Sequence, residues 1–155
     1  MTMSRIVPYT AAPEAIAAMT ALENYVKDCG LEHSLIHLVK TRASQINGCA
    51  FCMFMHTTDA RAAGESDARL HLLNAWHEST LYTPRERAAL AWTESLTLIS
   101  QTHAPDADYE LAASEFTPEE LVKLTLLIGV INTWNRISIG FRSVHPGEKK
   151  LLAAA

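Results

Sequence analysis

The sequence predicts an all-α fold, and three observations support that prediction. Alternating runs of β-branched residues are absent, and the one Asn-Gly pair, Asn47-Gly48, separates two helical patterns rather than two strands. The segments TPRE and TPEE, which begin at Thr83 and Thr117, are capping boxes, in which threonine and glutamate side chains bind backbone N–H groups of the first helical turn. The stretch PEELVKLTLLIGVINTWNRISIGF is apolar on nearly every face, as expected of a helix buried all round by its own domain or by a second subunit.

The order of the helices follows from proline and glycine positions. Proline suits the first turn of a helix, and glycine suits the left-handed residue that follows a helix end. These preferences predict helices from about Pro13 to before Gly30, from about Leu31 to Ile46, from Cys49 to a stop at Gly64, and around Ala68 to Trp76. The two capping boxes then begin the later helices, with proline at the first helical position in both.

Length and composition indicate one globular domain over residues 1–155. The chain is 48% hydrophobic and 19% charged, with a formal net charge of −4. Its basic residues are scattered, which argues against a nucleic-acid partner. We expect neither a secretory signal nor a membrane span, because the most apolar run, residues 124–131, is far shorter than the roughly 20 residues that a bilayer requires. A cytoplasmic protein is therefore expected.

The segment NGCAFCMFMH contains a Cys-x-x-Cys pair followed by a histidine. On a helix, Cys49, Cys52 and His56 fall within an arc of about 60°. If the helix begins near Gly48, both sulfurs lie in its first turn, where free N–H groups and the helix dipole favour thiolate over thiol. His56 lies one turn beyond Cys52 and could accept its proton, so Cys52 is the better candidate nucleophile.

A dithiol of this kind suits a peroxidase cycle. One thiolate attacks a hydroperoxide and becomes a sulfenic acid, the other condenses with it to a disulfide, and an external dithiol reductant restores the pair. Two other interpretations stay open. The two cysteines and His56 could bind zinc with His33 or His37 as fourth ligand, or the thiols could simply pack in the core. The third cysteine, Cys29, is expected to be a small packing residue.

The stretch RASQINGCAFCMFMHTTDARAAG resembles the core motif of AhpD-like alkylhydroperoxidases in the carboxymuconolactone decarboxylase superfamily. The segments PRERAALAWTESLTLIS and FTPEELVKLTLLIGVINTWNRISI resemble the downstream helices of that family. The resemblance implies an all-helical fold, a homo-oligomer (trimer or hexamer), and thiol-dependent reduction of hydroperoxides without a metal, haem or flavin cofactor. It also implies that Cys52 is the peroxidatic cysteine, that Cys49 is the resolving cysteine, and that His56 helps to activate the thiol.

One position departs from the family pattern. Twelve residues ahead of the first cysteine the family has a glutamate of its proton relay, whereas this chain has His37. Either His37 takes part in a modified relay or a carboxylate such as Glu86 enters from elsewhere. Two alternative functions remain: a small-lactone lyase or decarboxylase of the same superfamily, which would not use the thiols, and a non-catalytic zinc or redox-sensing module.

Overall fold

The computed structural model describes residues 4–153, and within that range it contains helices and no strand. The helices are α1 (Pro8–Ala11), α2 (Pro13–Lys27), α3 (His33–Asn47), α4 (Ala50–Ala62), α5 (Asp67–Leu72) with a following 3-10 turn (Leu73–Ala75), α6 (Pro84–Thr97), α7 (Ile99–Thr102), α8 (Asp106–Glu115), α9 (Pro118–Phe141) and α10 (Pro146–Ala153). The all-α prediction is confirmed.

Both predicted capping boxes form. The Thr83 hydroxyl accepts from the Glu86 N–H at 3.2 Å, and the Glu86 carboxylate accepts from the Thr83 N–H at 2.8 Å. Thr117 and Glu120 make the same reciprocal pair at the start of α9, at 3.3 and 2.8 Å. Because each box satisfies two N–H groups that a helix leaves free, it fixes where α6 and α9 begin.

The structure differs from the prediction at the start of α3 and in four helices that the sequence did not predict, α1, α7, α8 and α10. Helix α3 begins at His33, with Glu32 before it, because Leu31 lies in the connecting turn and packs into the core from there. Helices α7 and α8 were not predicted. Only Ala112 of α8 is buried and α7 has no buried residue, so neither segment has the apolar stripe by which a helix is recognised in a sequence.

Helix α3 lies at the centre of the fold, packed against α4, α6 and α9. The main core combines residues of α2, α3, α6, α8 and α9, and its fully buried members include Val26, Val39, Ala88, Leu124 and Leu127. A second cluster joins α3, the turn after α5, and α6: Leu38, Leu73, Trp76, Tyr82 and Leu90. Each such leucine contributes about 1.5–3 kcal/mol by leaving water, so α3 is held firmly at the position that precedes the cysteine pair.

The last long helix is buried along one side in this chain. Leu124, Leu127 and Ile131 are buried, whereas the side chain of Val122 is 69% exposed and that of Ile139 is 45% exposed. The apolar pattern of α9 therefore exceeds what the single chain covers. Among residues 4–153, no helix is both long enough and apolar enough to cross a membrane.

Candidate active site

A left-handed glycine turns the chain from α3 into α4. Gly48 has φ 69° and ψ 33°, and its N–H donates to the Gln45 carbonyl at 3.2 Å. The next N–H, that of Cys49, donates to the Ser44 carbonyl at 3.0 Å. This is the glycine-terminated helix end that Asn47-Gly48 predicts. It places Cys49 directly before the first residue of α4.

The two cysteines occupy the first turn of α4, as predicted. Cys49 is the N-cap residue, and its sulfur accepts from the Cys52 N–H at 3.3 Å. The pair forms a disulfide, with the two Cα atoms 5.3 Å apart, and both residues are buried. When the disulfide opens, the Cys52 N–H favours a thiolate at Cys49, and the positive end of the helix dipole favours thiolate over thiol for both cysteines of this turn.

A buried amide network holds the end of α3 against α9. The Asn47 side chain donates to Asn132 Oδ1 at 3.0 Å and to Asn135 Oδ1 at 2.8 Å. Asn135 in turn donates to the Ser44 hydroxyl at 3.0 Å, and Asn132 donates to Thr97 Oγ1 at 3.1 Å. The polar side chains of Asn132 and Asn135 on α9 thus find their partners at the end of α3 and at Thr97. The network fixes the turn that presents the cysteines.

Cys52 lies on a cavity of about 290 Å³ between α1, α2, α4 and α9. Its lining is largely apolar and aromatic, and it comprises Tyr9, Thr20, Glu23, Phe51, Cys52, Met55, His56, Trp134 and Ser138. An organic molecule of modest size can therefore approach the Cys52 sulfur in a mostly dry environment.

Cys49 borders a different cavity, of about 220 Å³, formed by the start of α4, the end of α9 and the segment that leads into α10. It is more polar than the first, and among its lining residues are Arg142, Ser143 and Glu148. Phe51 and Ser138 border both cavities and separate them. The two cysteines of the disulfide thus border separate cavities.

His56 is a neutral imidazole at ordinary pH. Burial, together with the positive charges of Lys40 and His37, lowers its pKa from 6.5 to about 3. The ring can hydrogen-bond to the thiol or pass a proton onward, but it does not retain one near neutral pH.

His37 lies on α3, close enough to act on the charge of His56, but it lines neither cavity. Burial is the largest influence on its pKa, which is lowered; Asp59 opposes that shift, and Lys40 adds to it. His37 therefore acts on His56 through its charge and does not line either cavity beside the cysteines.

The structure does not bring Glu86 to the cysteine pair. Its carboxylate caps Thr83 and binds Arg69, with Arg69 Nη2 at 2.6 Å from Glu86 Oε1. Arg69 also pairs with Glu65 at 2.9 Å. Through these contacts Glu86 holds α5 against the start of α6. It lines neither of the cavities beside the cysteines.

Sequence reasoning missed a different carboxylate, Glu23 on α2. It lines the Cys52 cavity and forms an ion pair with Lys40 of α3. Lys40 is only 5% exposed and lies among the buried residues of α3, including Ile36 and Val39. A lysine on a buried helix face needs an anion nearby. The position of Lys40 in the sequence therefore indicated that some carboxylate would lie beside it. The sequence could not identify which carboxylate that would be.

The zinc alternative finds no support in the part of the chain that the structure describes. Within residues 4–153, no three or more His, Cys, Asp or Glu side chains gather as a metal site would require. His33 and His37 therefore do not complete a ligand set with the cysteines. Cys29 is a free, buried thiol packed in the main core, as expected.

Fold and site together define a small helical protein with a dithiol at a helix start. Residues 13–95 match the Carboxymuconolactone decarboxylase family, and the chain belongs to that family, in its AhpD-like branch. It is 44% identical to the uncharacterized protein YdfG of Bacillus subtilis (strain 168), over 87% of this chain and 92% of that one.

Several solved structures share the fold, among them those of ATU0492 and Bmp8. ATU0492 of Agrobacterium tumefaciens, a protein of unknown function provisionally described as the antioxidant defence protein AhpD, superposes with a TM-score of 0.91 at 52% identity, covering 93% of this chain and 99% of that one. The debrominase Bmp8 superposes with a TM-score of 0.76 at 18% identity, covering 88% and 73%. At that identity, the likeness to Bmp8 concerns the fold alone.

Proposed function

We propose that this protein is a thiol-dependent peroxidase that reduces organic hydroperoxides, with Cys52 as nucleophile and Cys49 as resolving cysteine. The observation on which this rests is the position of Cys52: first turn of α4, on a largely apolar cavity that His56 also lines. A thiolate there is stabilised by the helix start, and an apolar substrate can reach it. The AhpD-like relatives are consistent with such an activity.

The reaction conserves atoms and electrons in two steps. The Cys52 thiolate attacks the distal peroxide oxygen, so an S–O bond forms, the O–O bond breaks, and the alkoxide takes a proton and leaves as an alcohol. The Cys49 thiol then attacks the sulfenic sulfur, the disulfide forms, and water leaves. The two thiols are oxidised by two electrons, and the peroxide is reduced by two.

An external dithiol then reduces the disulfide, and the geometry favours attack at Cys49. Thiol–disulfide exchange proceeds along the S–S axis, so a reductant that attacks the Cys49 sulfur approaches from the cavity on the Cys49 side. Cys52 then leaves as a thiolate in the first turn of α4, where the helix dipole acts on it and His56 lines the same cavity. Peroxide and reductant would thus use separate openings.

The test is consumption of cumene hydroperoxide with dithiothreitol as reductant. We expect turnover by wild type and by Cys29→Ser, whose thiol is remote from the pair in the core, and none by Cys52→Ser. Equal turnover by wild type and Cys52→Ser would overturn the proposal. A lactone substrate converted equally well by Cys52→Ser would instead indicate the lyase that the family resemblance leaves open.

Reductive dehalogenation of a small aromatic ring is a second candidate, and the aromatic side chains of Tyr9, Phe51 and Trp134 around Cys52 favour it. The same dithiol can supply two electrons, so that a carbon–halogen bond is replaced by C–H, the halide leaves, and the disulfide forms. Halide release from a brominated pyrrole by the reduced protein, absent in Cys52→Ser, would support it. No halide release would exclude it for that substrate.

A further inference from the structure

The Glu23–Lys40 ion pair joins α2 to α3 at the edge of the Cys52 cavity. Its Lys40 side chain is 7% exposed and its Glu23 side chain 25% exposed, so both charges are largely removed from water. Such pairs contribute little net stability, because desolvation opposes the attraction, and apolar replacements are often tolerated. An ion pair beside a cavity that a cysteine also lines is therefore a candidate for a functional role.

Glu23 is also the one carboxylate that lines the Cys52 cavity among the described residues. The ionisable side chains in its lining are Tyr9 of α1, Glu23 of α2, and Cys52 and His56 of α4. Helix α9 contributes only uncharged side chains to this lining. Lys40 and His37 of α3 act on His56 through their charge. A proton that leaves Cys52 and must stay close to the substrate has Glu23 as its nearest acidic acceptor in that lining.

We propose that Glu23, positioned by Lys40, is the proton-transfer residue of this dithiol site. The inference rests on the proposed peroxidase function. Glu23 takes the Cys52 thiol proton, directly or through His56, as the thiolate forms. It returns that proton to the alkoxide when the S–O bond has formed and the O–O bond has broken. The net result is one alcohol and one sulfenic acid, with Glu23 again a carboxylate. The carboxylate thus enters from α2, whereas the family pattern has its glutamate at the position that His37 occupies on α3 of this chain.

The experiment separates thiolate formation from proton return. In a reduced Cys29→Ser/Cys49→Ser background, Cys52 is the only thiol. The rate of its alkylation by iodoacetamide against pH reports the thiolate, and its rate of oxidation by cumene hydroperoxide reports the complete step. Glu23→Gln, Lys40→Met and Glu94→Gln are compared in that background. Glu94 binds Arg42 of α3 at 2.8 Å, so Glu94→Gln breaks a partly buried ion pair on the same helix that does not border the cavity.

Glu23→Gln removes a negative charge near the thiol, so the alkylation midpoint shifts to lower pH. Its peroxide rate nevertheless falls by about tenfold or more, because the proton donor is lost. Lys40→Met removes a cation, so its midpoint shifts to higher pH and its peroxide rate also falls. Glu23→Asp restores part of the rate, and Glu94→Gln changes neither quantity. A merely structural role would not lower the peroxide rate while raising the thiolate fraction.

Two results would overturn the inference. The first is a Glu23→Gln peroxide rate equal to that of the parent at every pH, while the parent reacts normally. The second is an equal loss of rate in Glu94→Gln. If Glu23→Gln does not fold, Glu23→Leu/Lys40→Met replaces the pair by apolar contacts and must show the same loss of peroxide rate. A parent that alkylates normally but does not react with peroxide would overturn the proposed function itself, and this inference with it.

Discussion

The Asn47 side chain donates a 2.8 Å hydrogen bond to the Asn135 side-chain oxygen, joining the last residue of α3 to the middle of α9 across 88 residues of sequence. This contact lies directly before the Gly48 turn and the cysteine pair. Asn135 is fully buried, so its amide has no water to replace a lost partner. The position of the dithiol therefore depends on a side-chain bond between two distant helices.

Removing Asn135 should destabilise the fold measurably. Asn135→Ala leaves the partners at Asn47 and Ser44 without that hydrogen bond, at about 1–3 kcal/mol per unsatisfied buried group. The free energy of unfolding, measured in urea, should fall by an amount in that range. Thr133→Ala on the exposed side of the same helix should change it by less than about 0.5 kcal/mol. Equal effects of the two variants would show that the amide network contributes nothing.

Gly48→Ala should destabilise the fold through the backbone alone. A Cβ at Gly48 would meet nothing within 4 Å, but φ is +69°, where a side chain costs about 1 kcal/mol. Gly129, inside α9, also has open space but has no positive φ, so Gly129→Ala should stabilise by roughly 0.5–1 kcal/mol. The same unfolding measurement compares the two. We expect the free energy of unfolding to fall for Gly48→Ala and to rise for Gly129→Ala. A stabilising Gly48→Ala would contradict the backbone explanation.

Acid should destabilise the protein through His56. Its pKa is about 3 in the folded state and near 6.5 when unfolded. Between these values the unfolded chain binds more protons, so stability is complete above about pH 6.5 and is lost as pH falls toward 3. The loss due to this residue is at most about 1.4 kcal/mol per pH unit. Thermal unfolding at pH 7, 5.5 and 4.5 should show a smaller decrease for His56→Gln than for wild type.

The control for that measurement is His71→Gln, at an exposed position of α5. Its unfolding temperatures should decrease with pH in parallel with those of wild type. The account of His56 is contradicted when the His56→Gln curve is also parallel to wild type, because the depressed pKa would then have no effect on folding.

Much of the site was predictable because it is local in sequence. Cys49, Cys52 and His56 share one helix, and Gly48 fixes where that helix starts, so spacing alone placed them. The Glu23–Lys40 pair was not predictable in this way, since its partners lie on two helices 17 residues apart and only packing decides which carboxylate meets Lys40. Glu86 illustrates the reverse: a helix-start glutamate whose local capping role determines its position.

The contrast between local and long-range contacts also explains which helices the sequence predicted. Capping boxes predicted the starts of α6 and α9, because the bonds involved span three residues. Helices α7 and α8 have almost no buried residues, so no periodic pattern distinguishes them from a loop. They are positioned by the helices on either side instead.

The most direct test of the peroxidase account is a free-thiol count on the fully reduced protein before and after one equivalent of cumene hydroperoxide. The chain has three cysteines, and we predict that wild type rapidly loses two thiols and retains Cys29. Cys52→Ser should lose none, and Cys49→Ser should stop at a sulfenic acid that a dimedone probe traps. Three thiols that survive the peroxide unchanged in wild type would contradict the account.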